Sequence, residues 1–259
     1  MNAESVDLER ALEVAREAAR KASAIALDYF RSPLEIERKA DASPVTIADR
    51  ECEQEIRRTI QAAFPDHAIF GEEYGHSGEH RCLWLIDPID GTRSFIRGLE
   101  FWSVQIALMV DGEIVIGVSA APPFDETAWG IAGRGAWLDG EPLKAAATDA
   151  LGEMDVSLGN VRTLARGSGW SRVGKLVEAA ARSRGYGDFY PYHRLAAGGL
   201  DAVIESDINI LDIAALTVIV REAGGIVTEL SGGPIGLQST TILAATAALH
   251  PQLISFLND

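Results

Sequence analysis

Cysteine is nearly missing from this sequence. Cys52 and Cys82 are the only two among 259 residues, and neither has a CxxC partner. That excludes a disulfide framework, makes a reducing cytosol the expected compartment, and leaves both thiols as ordinary packing residues. Positive charge is also scarce: 23 lysines and arginines face 38 aspartates and glutamates, a formal charge of −15. A nucleic-acid or anionic-membrane surface is therefore not expected, because such a chain repels a phosphate backbone. A small phosphorylated ligand stays compatible, since a metal cluster reverses the sign locally. No apolar run approaches the ~20 residues that a membrane span requires. The opening segment MNAESVDLERALEVAREAARKAS reads as a charged helix and carries no signal-peptide core. Histidine is sparse as well, five scattered residues (67, 76, 80, 193 and 250) that read as structural or surface groups. Internal repeats, low-complexity tracts and an interdomain linker are not evident.

What is present begins with 47% hydrophobic residues, enough for a substantial core in one large domain or two lobes. Leu8, Leu12, Ala15, Ala19, Ala22, Ile25 and Tyr29 recur at a three-four spacing with Glu and Arg opposite. This predicts an amphipathic helix over 5–30, ended by Ser32-Pro33. Cys52, Ile56, Ile60 and Phe64 predict a second helix closed by Pro65, with KADASPVTIAD as a polar connector between the two. From Trp84 the pattern turns to strands. SVQIALMV and EIVIGVSA flank Asp111-Gly112, a two-residue hairpin signal, and TAWGIAGRGAWLDG continues as a strand or pair. The second half alternates: a helix over 171–183, a helical stretch near 189–199 and the strand DAVIES. LDIAALTVIVREAGG is then a helix capped by its double glycine, IVTEL and TILAAT are strands, and ALHPQLISFLN is a closing helix. Hairpins mixed with helices predict a layered α+β fold of αβαβα type.

Acids stand where the pattern gives no reason for them. WLIDPIDGTRSF places Asp87 and Asp90 behind an apolar strand, where each ionised carboxylate is costly to desolvate without a cation or several donors. Strand-end carboxylates around a proline turn, followed by Gly-Thr, resemble a hard-cation site built of carboxylate and carbonyl oxygens, with positions left open for water and phosphate. IFGEEYG adds Glu72 and Glu73, VTIAD adds Asp49, and ILDIAAL adds Asp212. Glu-Glu pairs are commonly solvated surface, and an aspartate opening a helix is commonly its N-cap, so Asp212 by itself stays open between capping and ligation.

GEE, WLIDPIDGT and LDIAALTVIVREAGG, in this order and spacing, resemble the lithium-sensitive inositol monophosphatase-like superfamily of magnesium-dependent phosphatases, over essentially the whole chain. The resemblance implies the αβαβα sandwich as a single phosphatase domain, with lobes of about 1–145 and about 146–259. It implies Glu72, Asp87, Asp90, Asp212 and the Ile89 carbonyl as ligands of two or three Mg²⁺ ions. Glu72 is also counted as catalytic, and Asp49 with Thr92 positions the attacking water. The amides of Gly91 and Thr92 contact phosphate. Hydrolysis is then metal-assisted, without a covalent intermediate. One departure is Leu211, where the family usually has a packing tryptophan; this touches local packing and leaves the chemistry intact.

Within the superfamily SRGYGDFYPYHRLAAGGLDAVIES resembles the histidinol-phosphatase branch in its YGDF element followed by a helix. Asp188 and Glu205 are the expected contacts to the organic part of L-histidinol phosphate, with Arg93 as a further substrate residue. Two carboxylates facing the leaving group suit an ammonium and an imidazole. Asp188 as a plain N-cap before FYPYHRLAA is the competing reading. An inositol-1-monophosphatase or broad-specificity sugar and polyol phosphatase is the alternative function. The implied enzyme is a cytoplasmic homodimer of histidine biosynthesis, in which Arg182 and Arg184 are either surface charges or reach a neighbouring subunit.

Overall fold

The computed structural model describes residues 6–32, 37–38 and 44–258. In the first half α1 (Leu8–Tyr29) is followed by a short ladder of β1 (Glu37–Arg38) and β2 (Pro44–Val45), then by α2 (Ile47–Ala63). Next come β3 (Ala68–Gly71), β4 (Gly75–Ser77), β5 (Cys82–Asp90) and the short helix α3 (Thr92–Ile96). The meander β6 (Ser103–Val110), β7 (Glu113–Ala121), β8 (Glu126–Ile131), β9 (Gly135–Leu138) and β10 (Glu141–Pro142) closes that half. The second half runs β11 (Asp155–Leu158), α4 (Val161–Arg166), α5 (Trp170–Ala179), β12 (Arg182–Arg184), α6 (Tyr190–Ala196) and β13 (Ala202–Ser206). It ends with α7 (Ile210–Glu222), β14 (Gly225–Thr228), β15 (Thr241–Thr246) and α8 (Leu249–Asn258).

An eight-stranded sheet has the order β10-β9-β8-β7-β6-β5-β3-β4, and a five-stranded sheet the order β12-β11-β13-β15-β14. Neighbours in the first are antiparallel except β3 and β5. Three hydrophobic cores hold five layers together, the central one spanning both sides of the middle helical layer. Alanines and leucines of α1 and the Cys52–Ile56–Ile60 stripe of α2 cover one face of the large sheet. The helices α6 and α7 fill the space between the two sheets, and α4, α5 and α8 cover the far face of the small sheet. This is the αβαβα sandwich. α7 is apolar almost all round and buried over ten of its thirteen residues, as a helix between two sheets must be.

The predicted α1, α2, α7, α8 and the hairpin at Asp111-Gly112 are all present, the hairpin with both residues at positive φ. Pro33 and Lys39–Ser43 of the connector lie outside the described residues. The helix expected over 171–183 stops at Ala179, and Arg182–Arg184 is an edge strand. Parallel pairing of Asp155 with Arg182 and of Ser157 with Arg184 recruits these residues into the small sheet, a long-range partner that local periodicity does not register. The second helical stretch is shorter than expected, seven residues from Tyr190. Leu211 is buried in the core between the sheets. Among the described residues no helix is long and apolar enough to cross a membrane.

Candidate active site

Side chains three residues apart on a regular strand point to opposite faces. Asp87 and Asp90 escape that rule because β5 bulges between them. Asp87 faces Gln105 and Asp90 faces Ser103, so three steps on β5 match two on β6. One residue is absorbed, and both carboxylates emerge on the same side. Pro88 sits at the bulge, where a missing N–H breaks no ladder bond. The turn is then locked locally, the Ile89 amide donating to Asp87 Oδ1 at 3.1 Å; the one proton of the Thr92 hydroxyl has two alternative acceptors, the Ile89 carbonyl at 3.1 Å and Asp49 Oδ1 at 3.4 Å. Gly91 has φ +83°, and a β-carbon there would lie 2.6 Å from the Phe101 carbonyl, so no larger residue fits. Asp90 is held from behind, with Ser103 Oγ donating to its Oδ2 at 3.1 Å and Gln105 donating to Ser103 at 2.8 Å.

Two helices deliver acids from their first turns. Asp212 is the third residue of α7 and closes a capping box, accepting from the Asn209 amide at 2.8 Å and from Asn209 Nδ2 at 2.7 Å. Capping and convergence on the cluster are thus compatible: one oxygen from each of Asp87, Asp90 and Asp212 lies within 4.8 Å of the others. Asp49 does the same on α2, accepting from the Thr46 amide at 2.8 Å and hydroxyl at 2.7 Å. Its other oxygen stands 3.4 Å from the Thr92 hydroxyl. Glu72 follows β3, its amide donating to the Ile86 carbonyl at 3.2 Å, and its charge bears on Asp87.

The electrostatics ask for cations. Burial, with Glu72, Asp90 and Asp212 nearby, holds the Asp87 carboxyl well above its ordinary range, and burial with Asp188 and Asp212 does the same to Asp90. Burial pushes Asp212 up to about 7, Asp188 to about 6 and Glu205 to about 8, and raises Asp49 against the Thr46 hydrogen bonds. No lysine or arginine pairs with Asp87, Asp90, Asp212 or Glu205 among the described residues. Buried oxygen donors without a counter-charge fit hard divalent ions and not a soft metal.

A second trio, His67, His80 and Cys82, also brings donor atoms within 4.8 Å of one another. It does not suit an ion. The Trp84 indole and the Cys82 amide donate to the Nδ1 atoms of His67 and His80, each at 3.0 Å. Each ring spends its Nδ1 lone pair as an acceptor and so carries a proton on Nε2, leaving neither nitrogen for an ion. Both histidines act as structural groups.

The structure brings Asp188 and Glu205 into one cleft beside Asp90 and Asp212. Asp188 is not an N-cap: α6 has no side-chain cap, and Asp188 itself takes a left-handed conformation at φ +55° with its carboxyl carbon 3.3 Å from where a Gly91 β-carbon would be. Arg93 is exposed on α3 and does not line that cleft. Sequence reasoning missed Glu53. Wholly buried, it accepts the Glu73 amide at 2.6 Å and the Tyr74 amide at 3.2 Å, and pairs with Arg57 at 2.7 Å. Arg57 continues to Ser77 and the Gly75 carbonyl, so an ion pair of α2 clamps the turn that presents Glu72. The available signal was the i,i+4 spacing of Glu53 and Arg57 beside the apolar stripe. Ser103, Gln105, Asn160 and Tyr192 were missed too, since nothing in their local sequence marks them.

Residues 7–259 match the inositol monophosphatase family, and the chain belongs to it. It is 36% identical over 236 residues to the histidinol-phosphatase of Mycobacterium tuberculosis, covering 87% of this chain and 88% of that protein. The histidinol-phosphatase of Streptomyces coelicolor is 34% identical over 259 residues, covering 96% and 97%. Among solved structures the extragenic suppressor protein suhB of Bartonella henselae superposes with a TM-score of 0.90 at 28% identity, covering 96% of this chain and 99% of that one.

Proposed function

We propose that this protein is a Mg²⁺-dependent phosphomonoesterase that hydrolyses L-histidinol phosphate in histidine biosynthesis. The observation that carries the reading is a double one: a cation-seeking cluster of Asp87, Asp90 and Asp212, adjoined by the carboxylates Asp188 and Glu205, which have no lysine or arginine partner among the described residues. Similarity to two histidinol-phosphatases over most of the chain supports it. Two or three divalent ions held by Glu72, Asp87, Asp90, Asp212 and the Ile89 carbonyl would supply Lewis acidity and a water of lowered pKa. The amides of Gly91 and Thr92, opening α3, donate to the phosphate oxygens. Thr92 Oγ accepts a hydrogen bond from the attacking water while turning its own proton toward Asp49 Oδ1, and Glu72 helps to place that water. The water oxygen bonds to phosphorus as the P–O ester bond breaks in line; the water gives up one proton to solvent and the leaving alkoxide takes one from solvent, so no net proton is consumed. The lobes of about 1–145 and about 146–259 act as one unit, because the first supplies Asp87 and Asp90 and the second Asp212. Cytosolic residence suits Cys52 and Cys82, both buried and unbridged. A homodimer is part of the same reading; in the single chain β12 is an edge strand whose Arg182 pairs with Asp155 beside it, while Arg184 is exposed and is the one of the two left to reach a neighbouring subunit.

Thr92→Ala should lower kcat by about a hundredfold while the Mg²⁺-induced rise in Tm stays close to wild type, since a hydroxyl orients water without being a strong ligand. Unchanged kcat with weakened Mg²⁺ binding would reassign Thr92 as structural.

The substrate is tested by phosphate release from histidinol phosphate, inositol 1-phosphate and glycerol phosphate. A charge-assisted hydrogen bond is worth about 1.5–3 kcal/mol. Asp188→Asn should therefore cut kcat/KM for histidinol phosphate by roughly ten- to a hundredfold and glycerol phosphate far less. Equal losses, or wild-type preference for inositol 1-phosphate, would leave a phosphatase of the broader family in its place.

A further inference from the structure

Glu205 is the more deeply placed of the two carboxylates taken to meet the organic cation, and what holds it comes from two elements that carry no acid of the cluster. The Tyr192 hydroxyl donates to its Oε2 at 2.9 Å. Asn160 Nδ2, at 3.4 Å, approaches Oε1 and also reaches the Asp207 carbonyl at 3.3 Å. Tyr192 is fully buried on α6, and Glu205 is 5% exposed on β13. Oε1 lies against the Gly159 backbone, 2.2 Å from where a β-carbon would stand, so the carboxylate occupies space that only a glycine leaves. A carboxylate at the end of three rotatable bonds gains selectivity only if its lone pairs are aimed, and here each oxygen has one neutral donor. Neutral donors orient the group without cancelling its charge. An arginine in their place would consume the charge that a substrate cation needs.

The next residue on α6 fixes that helix to the other sheet. His193 Nε2 meets Ser119 Oγ of β7 at 2.8 Å, and Nδ1 faces Glu126 of β8 at 3.4 Å. Arg194 pairs with the same glutamate. Both strands belong to the sheet whose β5 presents Asp87 and Asp90. Tyr192 therefore references Glu205 to the metal-seeking cluster and not only to its own sheet.

We infer that Tyr192, with Asn160, is a positioning residue that sets selectivity for a cationic leaving group by aiming Glu205. This rests on the proposed recognition of histidinol phosphate by Glu205. A buried tyrosine needs a partner for its hydroxyl in any case, so the test must separate aiming from packing. Tyr192→Phe, Glu205→Gln, the double variant and Asn160→Gly are compared at saturating Mg²⁺ on histidinol phosphate and glycerol phosphate, with the inhibition constant of the product L-histidinol as a second readout. Tyr192→Phe should lose roughly three- to tenfold in kcat/KM on histidinol phosphate, chiefly through KM, with a smaller loss on glycerol phosphate. The L-histidinol inhibition constant should rise by the same factor. The double variant should be no worse than Glu205→Gln alone, because a residue acting through Glu205 has nothing left to act on. Asn160→Gly keeps the left-handed backbone at position 160 (φ +46°) and removes the other donor, so it repeats the test without touching the core, and decides it if Tyr192→Phe does not fold. Equal losses on both esters, or losses that add in the double variant, overturn the inference while a selective loss in Glu205→Gln leaves the substrate reading standing. No selective loss in Glu205→Gln overturns both.

Discussion

Asp90→Asn should lower kcat/KM by about a thousandfold or more while the protein stays folded. Loss of one anionic ligand removes several kcal/mol of charge stabilisation at a metal-assisted phosphoryl transfer, and each 1.36 kcal/mol is about tenfold in rate. The fold should survive, because the amide oxygen of asparagine can still accept from Ser103 Oγ, which now bonds Asp90 Oδ2 at 3.1 Å. Metal-free protein should be as stable as wild type or more so, since Asp90 is buried beside Asp188 and Asp212 and its charge is unfavourable without a cation. The measurements are steady-state phosphate release and thermal melts in Mg²⁺ and in chelator. Near-normal turnover at ordinary Mg²⁺ would falsify the ligand assignment. A collapse of both activity and Tm would instead make Asp90 a structural residue.

The second large effect is the pH dependence of the metal-free protein. Burial raises Asp212 from 3.8 to about 7, Asp188 from 3.8 to about 6 and Glu205 from 4.5 to about 8. A carboxyl whose folded pKa lies above its unfolded value keeps its proton in the native state after the unfolded chain has released it. Its stabilisation is fully present below the unfolded value, near 4, and is lost as pH rises through the folded value. Metal-free protein should therefore melt lower at pH 8 than at pH 5.5. At the proposed ligands, Asp212 with Asp87 and Asp90, divalent ions replace the lost protons, so Mg²⁺ should raise Tm by about 5 °C or more at pH 8 and by much less at pH 5.5. The difference between the Mg²⁺ and chelator curves isolates the cluster from every other titrating group. Equal Tm differences at the two pH values would mean that no cation meets these carboxylates.

Much of the fold was legible in the chain because helices and hairpins advertise themselves over short spans. The three-four spacing of α1 and α2, the Asp111-Gly112 turn and the apolar α7 with its double glycine all depend on neighbours within a turn or two. The edge strand Arg182–Arg184 did not, because its identity depends on pairing with Asp155–Ser157. The site divides the same way. The residue set DPIDGT, with its density of acids after an apolar strand, carries the expectation of a hard-cation site, and together with GEE and LDIAALTVIVREAGG it resembles the family that residues 7–259 match.

What the sequence determined by itself was chemistry: which carboxylates, which hydroxyl, and how few positive charges were available to neutralise them. The tertiary structure decided their meeting. A one-residue bulge turned Asp87 and Asp90 to one face, two helix first turns aimed Asp49 and Asp212, and a left-handed Asp188 stood free of any capping role. It also decided that Tyr192 and Asn160 hold Glu205, and that Glu53 clamps the turn bearing Glu72. Donor type is a property of one residue and can be read singly. Direction and distance between residues far apart in the chain exist only after the layers have packed.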